Sequence, residues 1–256
     1  MAEAIASGAA QPEVPAAAHP APLWEMLQAA GPAAPAVERV LRDHRREARA
    51  GTTLKLEGAP AAGHYWVLEG WLAVYKTLDS GQRQIVDFAL PGDVLDPTCA
   101  DMDVSCVEIV ALTEARVSVV PEAAIARLRA AAPALDRHER RNHAAALSRM
   151  SERMLRLGRG SAEARIAYAL IELCLRLSRV SGTDCGRFHL PLTQTQLGDF
   201  TGMTAVHVCR MLARLGKSGI VTITDHIDIV VHDPVALARL AQIDPDRLRR
   251  EIILPA

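Results

Sequence analysis

The stretch richest in chemical content runs from Leu192-Thr193-Gln194-Thr195-Gln196 to Thr204-Ala205-Val206-His207-Val208-Cys209-Arg210. Thr193 and Gln196 have the spacing of a capping box, in which hydroxyl and amide each satisfy a free backbone N–H, so a short helix is predicted to begin there. Gly202 supplies the tight turn that ends it, and Thr204 can cap a second helix running to about Gly216. Two short helices joined by a glycine-containing turn make a helix-turn-helix. At 100° per residue, Val208, Leu212 and Leu215 share one inward stripe, leaving Val206, Arg210, Ala213 and Lys217 on the opposite face with Arg214 beside them. An outward stripe of cations with short residues at its N-terminal end suits the major groove of double-stranded DNA. Arg210 can aim two N–H donors at guanine O6 and N7, a contact worth about 1–3 kcal/mol of discrimination. Arg214 and Lys217 suit phosphates, which fix register without reading sequence. Thr193, Gln194, Thr204, Ala205, Val206 and His207 complete the predicted DNA-contacting set; His207 also reads as a half-exposed residue flanking the core. Ile220–Ile223 and Ile227–Val231 then flank Thr224-Asp225-His226, as a β-hairpin wing would.

The thiols are the second candidate chemistry. Cys99, Cys106, Cys174, Cys185 and Cys209 are odd in number and show no CxxC spacing, which speaks against a disulfide framework and for a reducing compartment. The N-terminus, Met1-Ala2-Glu3, has no basic flank or apolar run of a signal peptide, and the predicted location is the cytoplasm. Cys99 and Cys106 could be a redox pair, metal or haem ligands together with His64, or two ordinary small residues. Cys209 is either a space-filler beside Arg210 or an oxidation site that would put negative charge next to DNA phosphates. His138 and His143 read as surface residues, and no metal site is expected. Neither a glycine-rich phosphate loop nor a Ser/His/Asp constellation occurs, so catalysis is not expected.

These residues need elements to hold them. Residues 1–36 contain 14 Ala and 6 Pro, and 1–22 are expected to be a disordered tail. Leu23–Leu27 and Val37–Arg49 read as a helical lead-in. The apolar runs Thr52–Leu56, Tyr65–Leu68, Trp71–Thr77, Gln84–Ala89, Val107–Ala111 and Arg116–Val120 are broken by turn residues at the rhythm of an all-β module. After Pro133 no Gly or Pro interrupts the chain up to Leu157, and Leu147, Met150, Met154 and Leu157 recur at steps of 3, 4 and 3. Such a narrow stripe packs either on the chain's own β-module or against the same helix of a second subunit. Gly158 and Gly160 form a hinge, and Ser161 opens another amphipathic helix. Its most apolar part, Ile166–Leu177, is interrupted by Glu172 and Arg176, so no membrane span is expected.

The 256 residues carry 29 Lys+Arg and 30 Asp+Glu, a net charge of -1 that conceals an asymmetry. Residues 1–120 hold 9 basic and 16 acidic side chains, and residues 121–256 hold 20 and 14. Half the residues are apolar, enough for a substantial core and too many for a disordered chain.

The order β-module, long helix, winged helix-turn-helix resembles the CRP/FNR family of bacterial transcription regulators. The resemblance is carried by Leu190–Gln194, Thr204–Arg210, Val67-Leu68-Glu69-Gly70-Trp71, Gln84–Phe88 and Leu90-Pro91-Gly92-Asp93. It implies an α+β fold: a cyclic-nucleotide-binding-like β-roll (jelly roll) with its lead-in over 23–132, a dimerisation helix and hinge over 133–160, and a winged helix-turn-helix over 161–256. It further implies a homodimer, with Leu147, Met150, Met154 and Leu157 at the interface, on a palindromic operator and in contact with RNA polymerase. Arg210 matches the family's recognition-helix arginine, whereas two other base-reading positions are occupied by Ala205 and Val206. The family's nucleotide pocket needs an arginine for the cyclic phosphate, yet no Lys or Arg occurs between Arg83 and Arg116, where Asp93, Asp96, Asp101, Asp103 and Glu108 stand. Cyclic nucleotide is therefore not expected as the signal. Nor is an N-terminal iron-sulfur cluster, because no cysteine precedes Cys99. The different reading is a ligand-binding or protein-interaction module whose helix-turn-helix is only scaffold.

Overall fold

The computed structural model describes residues 21–99, 102–182, 185–224 and 228–253. Residues 1–20 of the expected tail, Asp101, and the wing-tip residues Asp225 and His226 lie outside these. Helices α1 (Ala21–Ala30) and α2 (Ala34–Asp43) lead into strands β1 (Arg45–Ala48), β2 (Thr53–Lys55), β3 (His64–Glu69), β4 (Leu72–Thr77), β5 (Arg83–Ala89), β6 (Val94–Leu95), β7 (Thr98–Cys99), β8 (Met102–Ser105), β9 (Glu108–Ala111) and β10 (Ala115–Val120). Then follow α3 (Glu122–Ala131), the long α4 (Pro133–Arg159), α5 (Ala162–Ser181), β11 (Arg187–His189), α6 (Gln194–Thr201), α7 (Ala205–Lys217), β12 (Val221–Thr224), β13 (Asp228–Val231), α8 (Pro234–Ala241) and α9 (Pro245–Ile252).

Two antiparallel four-stranded sheets, ordered β1-β10-β3-β6 and β2-β9-β4-β5, make the β-roll. Alternation along the strands decides what each face covers. Tyr65, Val67, Val117 and Val119 point between the sheets to meet Leu72, Ala89, Ile109 and Ala111. On the outer face of the first sheet, Trp66, Val94 and Val120 pack with Leu23, Leu27 and Leu41 of the lead-in, Ile125 of α3 and Leu135 of α4. The outer face of the second sheet is covered by the C-terminal module: Trp71, Tyr75, Ile85 and Phe88 share a core with Ile166, Leu170, Phe200 and Val208.

Four expectations are corrected. The predicted helix over Val37–Arg49 ends at Asp43, and Arg45–Ala48 instead pairs with β10. That strand shows no alternation because it is an edge, with only Ala48 buried. Cys174 of α5 and Cys185 before β11 form a disulfide, against the expectation of none. His138 is no surface residue: it stacks on Trp66 at 5.9 Å between ring centroids and contacts the Gly92 carbonyl at 3.3 Å. His64 is enclosed by carboxylates, with Nε2 at 2.8 Å from Glu122 and 3.8 Å from Asp96, and Nδ1 at 3.5 Å from Glu139. It is thus not a partner of Cys99 and Cys106 in a metal site, and no cluster of metal-ligating side chains occurs among the described residues. No helix among them is long and apolar enough to cross a membrane.

Candidate nucleic-acid interface

The helix-turn-helix is built as its residue types require. Thr193 Oγ1 accepts the Gln196 N–H at 3.1 Å, and Gln196 Oε1 accepts the Thr193 N–H at 2.8 Å, so both halves of the capping box are present. Gly202, with φ +67°, ends α6 in the left-handed region, and Leu157 of α4 packs so closely that a Cβ there would lie 2.8 Å from it. Thr204 Oγ1 accepts the His207 N–H at 3.3 Å and starts α7. Val208, Met211, Leu212 and Leu215 are buried. Val206 (66 % exposed), Arg210, Ala213 and Lys217 lie on the open face.

Thr193, Gln194 and Thr204 are exposed at the two helix starts, with Ala205 and His207 half-buried in the first turn of α7. Arg214 is exposed too, but its Nη1 contacts Glu163 Oε1 at 3.1 Å, so a phosphate would have to compete with that carboxylate. Strands β12 and β13 form the wing, to which β11 adds an edge absent from the sequence expectation. A groove of about 1030 Å³ opens between α6, α7 and the wing, bordered by Thr193, Gln194, Cys209, Ala213, Thr224 and Asp228. Cys209 is exposed there, separate from the half-buried Cys99 and Cys106 of the β-roll.

The apolar stripe on α4 is exposed along its length. Leu147, Met150, Met154 and Leu157 are 63, 42, 71 and 39 % exposed, the Leu157 side chain also lying against the Gly202 turn. On the opposite face Arg149, Arg153 and Arg156 are buried, which sequence reasoning missed. Asp87 of β5 sits among three guanidiniums: Arg149 at 2.8 Å, Arg153 at 3.1 Å and Arg176 of α5 at 3.3 Å. Arg176 also bonds Asp93 at 2.7 Å, and the buried Glu172 lies 3.6 Å from Arg153 and 3.7 Å from Arg176. Although burial alone would raise it, the three arginines hold the Asp87 carboxyl well below the usual carboxylate range. Arg153 also lies over the Phe200 ring at 4.8 Å and Gln84 donates to the Phe200 carbonyl at 3.2 Å, so the cluster joins β-roll, long helix and helix-turn-helix.

A domain that reads DNA, tied through a long helix to a β-roll, defines a class of transcription regulator, and comparison with known proteins agrees. Residues 45–132 match the cyclic nucleotide-binding domain family and residues 164–240 the Crp-like helix-turn-helix domain family. The nitrogen fixation regulation protein FixK of Bradyrhizobium diazoefficiens is 32 % identical over 192 residues, 75 % of this chain and 79 % of that protein. The transcriptional activator FnrA of Stutzerimonas stutzeri is 26 % identical over 196 residues, 77 % and 80 % of the two chains. The structure of FixK2 from Bradyrhizobium japonicum superposes with a TM-score of 0.69 at 28 % identity, covering 78 % of this chain and 98 % of its own. The chain belongs to the CRP/FNR family of transcription regulators.

The match to a nucleotide-binding fold raises the question of fit. A cyclic phosphate requires a cation, and between Arg83 and Arg116 the sequence has none. The neighbouring Lys76 is engaged by Glu57 and the Cys106 carbonyl, and Arg176 is bound by Asp87 and Asp93. The residues present do not fit a cyclic nucleotide.

Proposed function

We propose that this CRP/FNR regulator acts as a homodimer on a palindromic operator, engages RNA polymerase at the promoter, and answers a signal other than a cyclic nucleotide. The observation that carries the reading is the outward face of α7, where Val206, Arg210, Ala213 and Lys217 are exposed while the opposite stripe is buried. Arg210 reads a base, Lys217 and the capped starts of α6 and α7 hold phosphates, and Ala205 and Val206 give apolar contact. Support for the dimer comes from Leu147, Met150, Met154 and Leu157, four exposed apolar side chains at steps of 3, 4 and 3 on a 27-residue helix that buries Arg149, Arg153 and Arg156 in its own chain. Two such helices side by side would set the α7 helices in successive major grooves. The Asp87 cluster offers the route of control, because a signal that moves β5 moves α4 and α5 with it.

The test is fluorescence anisotropy with a duplex recovered by selection from random DNA. Affinity should fall steeply with added salt and drop in Arg210→Ala with the fold unchanged. Binding indifferent to both salt and Arg210→Ala would leave the helix-turn-helix as scaffold.

A further inference from the structure

Cys99 and Cys106 come together through the backbone. Thr98 pairs with Ser105 across the β7–β8 ribbon, the ladder is irregular at Cys99, and the Cys106 N–H bonds the Pro97 carbonyl at 2.7 Å. Cys106 therefore stands opposite Pro97, diagonal to Cys99 on the same two-stranded ribbon. Both side chains are half-buried and so reachable from solvent. The ribbon is held from the other side: Gly58 N–H bonds the Ser105 carbonyl at 2.8 Å, and Ala61 N–H bonds the Asp103 carbonyl at 2.7 Å. Lys76 of β4 reaches over it, donating to the Cys106 carbonyl at 2.6 Å and pairing with Glu57. The same stretch of chain grips the long helix. Asn142 of α4 donates to the Val94 carbonyl at 3.2 Å, and Asp96 faces His64, which faces Glu139 of α4.

We propose that Cys99 and Cys106 form a reversible dithiol–disulfide site on the β-roll, oxidised by peroxide, whose closure is felt at the N-terminal half of α4. The chemistry balances in two steps. The Cys99 thiolate attacks one peroxide oxygen and breaks the O–O bond, giving a sulfenic acid and, with one proton, water. Cys106 then attacks that sulfur, losing its proton as the S–S bond forms, and the hydroxyl leaves as a second water. The two sulfurs together give two electrons to the peroxide. Burial and the neighbouring Cys99 push the Cys106 thiol up despite Lys76, which suits Cys106 to the second, resolving step. A small thiol reductant reverses the bond.

The experiment uses the full-length reduced protein, treated with a molar equivalent of hydrogen peroxide and mapped by mass spectrometry of its peptides. The expected result is a Cys99–Cys106 linked peptide, two mass units lighter than the reduced pair, that disappears with dithiothreitol and does not form in Cys106→Ser. Unmodified thiols, or sulfinic acid on either residue without the link, would overturn the site, and the wild-type map decides this even if Cys106→Ser does not fold. Hydrogen exchange on the same samples should change across residues 133–146 on closure; a link formed with no change there would overturn the coupling. Neither readout involves DNA, so failure here is distinct from failure of the function proposed above.

Discussion

Arg149 Nη2 and Asp87 Oδ2 meet at 2.8 Å with both side chains more than nine-tenths buried, tying the long helix to the β-roll strand that also carries Phe88. Asp87 is the carboxylate shared by Arg149, Arg153 and Arg176. Removing a buried ion's partner costs far more than a surface pair contributes, because the remaining charge stays desolvated. Asp87→Asn should therefore lower unfolding stability by about 3–5 kcal/mol at neutral pH, measured by urea denaturation. A loss below 1 kcal/mol would mean that water already screens the cluster.

Acid should act on the same group. The folded pKa of Asp87 lies below its unfolded value, so its stabilisation is complete above the unfolded value of 3.8 and is lost as pH falls toward the folded one. His64 has the opposite sense. Burial opposes its charge, but Glu139, Asp96 and Glu122 outweigh burial and hold its pKa above 6.5. Arg129, which bonds Glu139 at 2.7 Å and Glu122 at 3.1 Å, shares those carboxylates. The His64 contribution is thus fully present below pH 6.5 and lost as pH rises through the folded value. Thermal melts of wild type and His64→Gln should converge as pH rises from about 6 to 8.5. A gap that widened over that range would contradict the assignment.

The exposed stripe on α4 gives a prediction about assembly. Leu147→Glu with Met154→Glu should yield a monomer by sedimentation velocity with an unchanged circular dichroism spectrum, since neither side chain is buried in its own chain. Operator affinity should fall with it, because two half-sites can no longer be held by one particle.

At the recognition helix, Arg210→Ala should weaken binding to the selected duplex by about five- to 150-fold, equivalent to about 1–3 kcal/mol, with relaxed preference at one base pair of each half-site. Lys217→Ala should instead reduce affinity for all duplexes alike and flatten the salt dependence.

Local rules made the helix-turn-helix readable from sequence. The Thr193–Gln196 box, the Gly202 turn and the Thr204 cap are each settled by neighbours within a few residues, and the Val208, Leu212, Leu215 stripe by helical period. What escaped depends on distant partners. Arg45–Ala48 is a strand because β10, some seventy residues on, offers it an edge. Arg149, Arg153 and Arg156 are part of the basic excess of residues 121–256, yet they are held inside by Asp87, by Glu172 and, for Arg156, by Glu152 at 2.5 Å. Their steps of 4 and 3 are those of a single helix face, and Glu172 with Arg176 repeats the spacing on an apolar helix. That pairing of charge periodicities was the available signal. The Cys174–Cys185 link had none, since the two thiols are eleven positions apart with a helix end between them.

The most direct test of the account is selection of duplexes from a random pool by the full-length protein, followed by sequencing. The account predicts enrichment of two inverted half-sites with centres roughly one helical turn, about 34–36 Å, apart, lost in the Leu147→Glu, Met154→Glu protein. A pool without enriched sequence, or one holding a single unrepeated half-site, would contradict it.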